Sequence, residues 1–338
     1  MRAVGYHTPG PIDAKASLVD IDLPEPSPTG RDLLIEVKAV SVNPVDYKIR
    51  RSTAPKDGDE WKVLGWDAVG VVRAVGPSAS LFQPGEAVFY AGSITRPGSN
   101  AELHLVDERI VGRKPQSLDW AEAAALPLTA LTAWEAFFDR LDLTKPTQGA
   151  APAILIIGGA GGVGSIAIQI ARQCTNLTVI ATASRPETHD WVRALGAHYV
   201  VDHSKPLAAQ VEALGLGAPA FVFSTTQTAA HVQDVAELIA PQGRFGLIDD
   251  PAGFDIMLFK RKSVSVHHEL MFTRAIYQTP DLAEQGRILN GVSQLVDEGK
   301  LRATLTERLA PINAVNLKHA HALLESGKAR GKIVLEGF

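Results

Sequence analysis

The sequence is poor in cysteine, in basic runs and in long apolar stretches. Cys174 is the only cysteine among 338 residues, so neither an intramolecular disulfide nor a cysteine-rich zinc site can form. A formal net charge of -4 and the lack of a dense Lys/Arg run leave no electrostatic footprint for nucleic acid or an anionic membrane. No apolar run approaches the roughly 18 residues of a membrane-spanning helix, and the N-terminus lacks a signal-peptide core. We therefore expect a reduced, cytoplasmic protein without nucleic-acid or membrane partners.

The sequence motifs of several common enzyme classes are also absent. The sequence contains no GxSxG nucleophile elbow, no GxxxxGK[ST] phosphate loop and no HExxH zinc motif. Ten histidines are present, but the pairs His267-His268 and His319/His321 lack the i, i+4 spacing of a helical zinc site. We therefore expect these histidines to be ordinary surface or core residues.

The chain length and the pattern of apolar residues predict two domains that differ in secondary structure. A chain of 338 residues, 46% hydrophobic and 21% charged, can bury two ordinary cores. The first part is β-rich: Asp32 to Val40 alternates apolar and more polar residues, the period of a half-buried strand. From Ala153 onward apolar runs alternate with helical stretches, which indicates an α/β fold with a doubly wound parallel sheet. The predicted strands of that sheet are AILIIG, LTVIATA, YVVD, AFVFSTT, RFGLIDD and SVSVHHEL.

A glycine-rich loop follows the first of these runs and precedes a helix that we expect to begin near Val163. Its GxGxxG pattern is typical of a dinucleotide site, because the glycines allow a tight turn, a close approach of backbone to pyrophosphate, and helix–strand packing. The helix N-terminus adds a partial positive charge. A glycine-rich turn without a ligand is the alternative, and the repeated β/α alternation argues against it. The residues expected to hold the pyrophosphate are Gly159, Gly161, Gly162, Val163 and Gly164.

The end of the second strand predicts which dinucleotide binds. An NAD site usually places an acidic residue roughly 20 residues after the glycines, to accept from the ribose hydroxyls. Here Ser184 and Arg185 stand there, with no acid before Glu187. An arginine can form charge-assisted hydrogen bonds with a 2′-phosphate, so the expected cofactor is NADPH. The alternative is a solvent-facing arginine at the start of a loop.

Several ordered motifs together resemble the medium-chain dehydrogenase/reductase superfamily, the zinc alcohol dehydrogenase group. They are VNPVDYKIR, LGWDAVGVV, PGEAVFY, AAALPLTALTAW, GGAGGVG and GKIVLEG, and they are most similar to the quinone oxidoreductase and zeta-crystallin branch. The resemblance covers nearly the whole chain. It implies a GroES-like catalytic domain over residues 1–126, a Rossmann domain over 127–273, and a segment 274–338 that completes the catalytic domain. It also implies an active site in the cleft between the domains.

This sequence differs from the zinc-dependent members of the superfamily at the positions of their zinc ligands. Their three ligand positions correspond to Asn43, Trp66 and Leu128 here, and neither Trp nor Leu can bind zinc. The structural zinc lobe is missing, and Val45 stands where alcohol-oxidising members carry a Ser or Thr of the proton relay. We therefore expect no metal. An electrophilic substrate, a quinone or an α,β-unsaturated carbonyl, needs less activation than an alcohol does.

Candidate site residues follow from the same motifs. Asn43 could donate to a carbonyl oxygen, and Tyr47 or Lys48 could supply a proton, although the related enzymes usually carry Thr at the position of Tyr47. A packed aromatic at a strand end is the alternative for Tyr47, Asp46 matches a structural position, and Cys174 is expected in the core. The resemblance implies these further cofactor contacts: Thr129 facing the nicotinamide, Thr225 or Thr226 beneath the ribose, Ile248 near the nicotinamide, His203 beside the adenosine, and Lys332 toward the pyrophosphate.

Three functions remain compatible with the sequence. The favoured one is an NADPH-dependent reductase of quinones or activated alkenes. The second is an enzyme that interconverts alcohols with aldehydes or ketones, and the third is a non-catalytic NADPH-binding protein. We also expect a homodimer, because the run KSVSVHHEL predicts the last strand of the Rossmann sheet, and an exposed sheet edge invites pairing.

Overall fold

Alternating apolar residues in the first third of the chain form short antiparallel strands in the computed structural model, which describes residues 1–338. Asp32–Ser41 forms a strand whose apolar side chains are buried, as predicted for residues 32–40. Prolines and glycines lie in the turns between strands, where their backbone geometry fits. The elements of this part are β1 (Arg2–Tyr6), β2 (Val19–Asp22), β3 (Asp32–Ser41), α1 (Pro44–Ser52), β4 (Lys62–Val63), β5 (Ala68–Val75), β6 (Ala87–Tyr90), β7 (Leu103–Asp107), β8 (Gly112–Arg113), α2 (Trp120–Ala124) and α3 (Pro127–Trp134).

The middle of the chain forms the predicted parallel sheet. All six expected strands are present, in the order β11-β10-β9-β12-β13-β14, and every neighbouring pair is parallel. The α/β prediction is confirmed. Because helices cover such a sheet, its strands are apolar on both faces. The elements are β9 (Ala151–Ile157), α4 (Gly162–Cys174), β10 (Thr178–Thr182), α5 (Pro186–Ala194), β11 (Tyr199–Val201), α6 (Leu207–Glu212), β12 (Pro219–Ser224), α7 (Thr228–Leu238), β13 (Arg244–Leu247) and β14 (Ser265–His268).

The last part of the chain adds two strands to the sheet that contains β3. Its elements are α8 (Thr273–Tyr277), α9 (Glu284–Asp297), β15 (Leu305–Leu309), α10 (Ala314–Glu325) and β16 (Lys332–Glu336). Strand β16 pairs antiparallel with β3, so the sheet runs β15-β16-β3-β5-β6-β8, with β7 also paired to β3. The C-terminal segment therefore belongs to the same β-rich body as the N-terminal third.

The chain divides into two compact units. Unit 1 comprises Met1–Leu131 and Phe272–Phe338, and unit 2 comprises Thr132–Met271. The sequence placed these boundaries at residues 126 and 273, whereas the structure places the first within α3. Strand β14 lies at the edge of the sheet in unit 2, and the homodimer stays a prediction. None of the helices combines the length and the apolar character needed to cross a membrane.

Candidate functional site

The glycine loop between β9 and α4 is shaped by close backbone contacts. Gly158 has a positive φ of 80°, which favours glycine. A Cβ atom on Gly164 would lie 2.2 Å from the carbonyl oxygen of Gly158, so any side chain there would force α4 away from β9. A Cβ on Gly161 would meet only the Gly158 oxygen, at 3.5 Å. The loop is therefore tight on its inner side and open in front of Gly161.

The first turn of α4 has backbone N–H groups that make no hydrogen bond within the helix. The helix begins at Gly162, one residue before the predicted start, and its first internal bond runs from the Ser165 N–H to the Gly161 carbonyl, 2.9 Å. The amides of Gly162, Val163 and Gly164 precede that bond, so helix geometry provides them with no acceptor. Three N–H groups at the positive end of a 13-residue helix fit a dinucleotide pyrophosphate, which these residues would hold.

Thr182, at the end of β10, anchors the loop. Its backbone oxygen accepts from the Gly159 N–H at 3.1 Å, and its Oγ1 accepts from the Gly158 N–H at 3.0 Å. The same Oγ1 lies 3.0 Å from Nδ1 of His203. Sequence reasoning missed Thr182, although a hydroxyl at the carboxyl end of an apolar strand indicates a residue close to the ligand site. The expected glycines and His203 are thus joined through one buried threonine.

The residues expected at the adenosine end lie beside this anchor. Ser184 is exposed, and Arg185 is half-buried with its Nε 3.3 Å from Oε1 of Glu187. Burial lowers the pKa of His203, and the positive charges of His231 and Arg185 lower it further. The structure therefore brings His203 and Arg185 into electrostatic reach of each other. It adds His231, whose ring centroid is 6.3 Å from that of His203 and which sequence reasoning did not single out.

The other predicted contacts in unit 2 follow the neighbouring strands. Thr225, after β12, donates from Oγ1 to the Ile157 carbonyl at 2.9 Å and packs against Gly158. Ile248, after β13, is half-buried and donates its N–H to the Ser224 carbonyl at 3.3 Å. Both residues lie at the carboxyl ends of strands, where ligands bind in open α/β sheets. Cys174 is the last residue of α4 and is half-exposed, so the expectation that it lies in the core was wrong.

Unit 1 contains a buried polar centre around the Asp67 carboxylate. Oδ1 of Asp67 accepts from the Leu128 N–H at 2.7 Å, and Oδ2 accepts from Nδ2 of Asn43 at 2.8 Å and from Nζ of Lys332 at 3.0 Å. Asn43, Asp67 and Lys332 are at most 2% exposed. Two of the three positions that correspond to zinc ligands, Asn43 and Leu128, therefore bond directly to one carboxylate.

This centre engages the side chains of two predicted site residues, Lys332 and Asn43. The ammonium of Lys332 also donates to the Val42 carbonyl at 2.9 Å and to Oδ1 of Asn43, so its three protons all have acceptors within unit 1. The expected contact of Lys332 with a pyrophosphate stays a prediction, and in this structure the ammonium is bonded within unit 1. The side chain of Asn43 points into the same centre, with Nδ2 also 3.4 Å from the Ser41 carbonyl. Both amide protons of Asn43 therefore have acceptors in this structure, and its expected donation to a substrate carbonyl stays a prediction.

Asp46 extends the centre into the first turn of α1. Its Oδ2 accepts from the Asn43 N–H at 2.7 Å, as expected for an acid three residues after an N-cap. Burial raises the pKa of the Asp46 carboxyl to about 7, partly opposed by that hydrogen bond and by Lys332. Burial also raises the pKa of Asp67, opposed by Lys332. The pattern N-P-V-D, with its capping residue, proline and acid, is the sequence signal for the start of this helix.

The remaining candidates of unit 1 lie on α1 and α3. Tyr47 is half-buried in the first turn of α1, rather than at a strand end, and its hydroxyl makes no hydrogen bond. Lys48 is exposed on the same helix. Thr129 is buried in α3, and its Oγ1 donates to the Leu126 carbonyl at 3.1 Å. Of the predicted proton donors, Tyr47 is thus the one that combines partial burial with an unbonded hydroxyl.

The third position equivalent to a zinc ligand is apolar and packed. Trp66 is 1% exposed, donates from Nε1 to the Ser93 carbonyl at 3.2 Å, and meets Phe272 edge to face with centroids 6.4 Å apart. The structure has no group of three or more His, Cys, Asp or Glu side chains placed to hold a metal ion. The residues at this site therefore do not offer a zinc donor set.

Two family models match the chain. The alcohol dehydrogenase GroES-like domain matches residues 29–116, and zinc-binding dehydrogenase matches residues 195–335. The chain is 38% identical over 343 residues to a zinc-type alcohol dehydrogenase-like protein of Staphylococcus aureus (strain MRSA252), with 99% of each covered. These matches show that the chain belongs to the medium-chain dehydrogenase/reductase superfamily, and so is an oxidoreductase of that superfamily.

Solved structures share the whole fold. A Rhizobium etli CFN 42 protein, described as a zinc-dependent alcohol dehydrogenase, is 74% identical with a TM-score of 0.99, covering 100% of this chain and 98% of its own. A quinone oxidoreductase of Coxiella burnetii is 28% identical with a TM-score of 0.81, covering 100% of this chain and 99% of its own. The predicted family and fold are thereby confirmed.

Proposed function

We propose that this chain is a zinc-independent, NADPH-dependent reductase of quinones or α,β-unsaturated carbonyls. One observation carries the proposal: the positions equivalent to zinc ligands are occupied by a packed tryptophan, a leucine and an asparagine bonded to Asp67. Neither an indole nor a leucine side chain binds zinc, and the Asn43 amide already has its partners. The likeness to a quinone oxidoreductase supports the substrate class.

Bound NADPH would supply a hydride to the electrophilic carbon of the substrate. The chain's part is to hold the pyrophosphate at α4, to retain the 2′-phosphate beside Arg185 and the adenosine beside His203, and to provide a proton. Tyr47 is the proposed proton donor, because its hydroxyl is free and half-buried, whereas Asn43 and Lys332 are fully engaged. A saturated ketone would need stronger polarisation of its oxygen than this set of groups provides.

The names of two relatives point to another candidate, the interconversion of alcohols with aldehydes or ketones. Oxidation of NADPH measured with 1,4-benzoquinone, a conjugated enone, a saturated aldehyde and, in reverse, ethanol with NADP separates the two. We expect turnover in the order quinone, enone, aldehyde, and none with ethanol. Preferred turnover of aldehyde and ethanol would contradict the proposal, and NADPH binding without any turnover would indicate a non-catalytic protein.

A further inference from the structure

Two histidines lie together at the carboxyl edge of the sheet in unit 2. His203 follows β11, and His231 lies in the first turn of α7, the helix that follows β12. Their ring centroids are 6.3 Å apart, and the ring planes are inclined by 59°. His231 is 8% exposed, and His203 is half-buried. This edge is where ligands bind in open α/β sheets, so the pair lies where a cofactor would meet it.

The two rings have hydrogen-bonding capacity that the protein does not use. Nδ1 of His203 lies 3.0 Å from Oγ1 of Thr182. A hydroxyl can donate to a neutral imidazole nitrogen or accept from a protonated ring, so this contact persists when His203 gains a proton. Nε2 of His203 and both ring nitrogens of His231 make no hydrogen bond with the protein. Because buried polar groups normally have partners, these nitrogens point to a polar ligand.

The turn that carries His231 is held in place by side chains. The Thr228 N–H donates to Oδ2 of Asp249 at 2.9 Å, and the Thr228 hydroxyl bonds to the other oxygen of that carboxylate. The same hydroxyl lies 2.7 Å from Oγ of Ser224, the last residue of β12. His231 is in the same helical turn as Thr228. Its ring therefore projects from a fixed helix start and not from a loose loop.

Both rings are neutral at pH 7 in the free protein. Burial lowers the pKa of His203, the charges of His231, Arg185 and His189 lower it further, and Asp202 opposes them. Burial also lowers the pKa of His231, opposed by Asp234 and Asp249. A phosphate dianion placed near the pair would raise both pKa values, because an opposite charge stabilises the protonated ring.

We propose that His203 and His231 are a proton-linked part of the cofactor site, and that the pair takes up a proton when the 2′-phosphate of NADPH binds. Arg185, the residue expected at the 2′-phosphate, is within electrostatic reach of His203, so the charge of the phosphate acts on the pair. NADH carries no 2′-phosphate and should bind without this proton. The inference rests on the proposed function in so far as NADPH is the cofactor.

The proton sets the direction of the pH dependence. A ligand that binds together with a proton binds more weakly as the pH rises, and an uptake of half a proton corresponds to about a fivefold loss of affinity between about pH 6.5 and 8. The 2′-phosphate itself has a pKa of about 6 and would release a proton on meeting cations. Net uptake near neutral pH therefore comes from the protein.

The test is isothermal titration calorimetry on the full chain near pH 7, in buffers that differ in ionisation enthalpy. The slope of the observed enthalpy against the ionisation enthalpy gives the number of protons taken up. The ligands are NADPH and NADH, and also 2′,5′-ADP and 5′-AMP, which present the adenosine end without the nicotinamide. The variant is His231→Gln, and the matched control is His319→Gln, whose side chain is 56% exposed in unit 1.

We expect the wild type to take up on the order of half a proton with NADPH and with 2′,5′-ADP, and almost none with NADH and 5′-AMP. His231→Gln should lower the uptake with NADPH at least about twofold and flatten the pH dependence of the NADPH dissociation constant, because one titrating ring is gone. It should leave NADH binding unchanged. His319→Gln should match the wild type.

Equal uptake with NADPH and NADH, or NADPH binding without net uptake, would overturn the inference. A His231→Gln protein with the uptake of the wild type would overturn the part assigned to His231. If that variant does not fold, the comparison of the four ligands on wild-type protein decides. Protein that shows the uptake but reduces no quinone would support the inference and contradict the proposed function, and quinone reduction without the uptake would do the reverse.

Discussion

Oγ1 of Thr182 lies 3.0 Å from Nδ1 of His203, and the same oxygen accepts the Gly158 N–H at 3.0 Å. One hydroxyl thus connects His203, the residue expected beside the adenosine, to the loop that would hold the pyrophosphate. Because Thr182 is 0% exposed, loss of its hydroxyl leaves the Gly158 N–H without an acceptor in the protein.

The first prediction concerns this anchor. Thr182→Val should weaken NADPH binding by about 1–3 kcal/mol, because the loop loses a buried hydrogen bond at its first glycine. Thr178→Val, at the opposite end of the same strand, is the matched control and should leave the affinity unchanged. Isothermal titration calorimetry measures both, and equal affinities of the Thr182 variant and the wild type would contradict the role of the anchor.

Arg185 is predicted to determine the preference for NADPH over NADH. Arg185→Asp should weaken NADPH binding by about 1.5–3 kcal/mol and NADH binding much less, because only NADPH carries the 2′-phosphate. Glu187→Gln should strengthen NADPH binding modestly, since Glu187 Oε1 lies 3.3 Å from the Arg185 Nε and competes for the guanidinium. Equal losses for the two dinucleotides in the Arg185 variant would show that Arg185 does not meet the 2′-phosphate.

Tyr47 is predicted to deliver the proton. Tyr47→Phe should lower kcat by ~10²–10⁴-fold, the range typical of general acid catalysis, while the NADPH dissociation constant stays the same. Tyr277→Phe is the matched control, because Tyr277 is 75% exposed and belongs to no predicted site. Steady-state kinetics with a conjugated enone test this, and a Tyr47→Phe enzyme with full activity would leave solvent as the proton source.

Asp46 should make stability fall as the pH rises. Its folded pKa is raised to about 7, above the value of 3.8 for a free side chain, so the folded state binds a proton that the unfolded state has released. The resulting stabilisation is present below the unfolded pKa and is lost as the pH rises through about 7.

The variant Asp46→Asn should remove that dependence. Between pH 5 and pH 8 the wild type should lose up to about 3 kcal/mol more unfolding free energy than the variant, measured by urea denaturation. Asp57→Asn, in an exposed loop, should behave as the wild type does. Parallel pH profiles for wild type and Asp46→Asn would show that the carboxyl does not hold a proton at neutral pH.

The sheet in unit 2 could be predicted strand by strand, because a parallel sheet buried on both faces leaves continuous apolar runs in the sequence. The position of the glycine loop could also be predicted, because its contacts are made by the backbone and leave no space for a side chain at Gly164. The spacing after the glycines singled out Arg185 and the resemblance singled out His203, but neither indicated the Thr182 hydroxyl between His203 and the loop.

The polar centre of unit 1 could not be predicted in the same way. Asp67 and Lys332 are 265 residues apart in sequence, and no periodic pattern indicates that an acid and a base so distant will share a buried site. The resemblance specifies where Lys332 and Asn43 lie along the chain, and not that their side chains bond to each other and to Asp67.

The central claim is tested most directly by zinc content and quinone turnover. Both are measured on one sample of protein that was purified without a chelator. We predict well below one zinc per chain together with NADPH-dependent reduction of 1,4-benzoquinone that a subsequent chelator does not alter. Near-stoichiometric zinc that survives dialysis, with activity that the chelator abolishes and added zinc restores, would contradict the account.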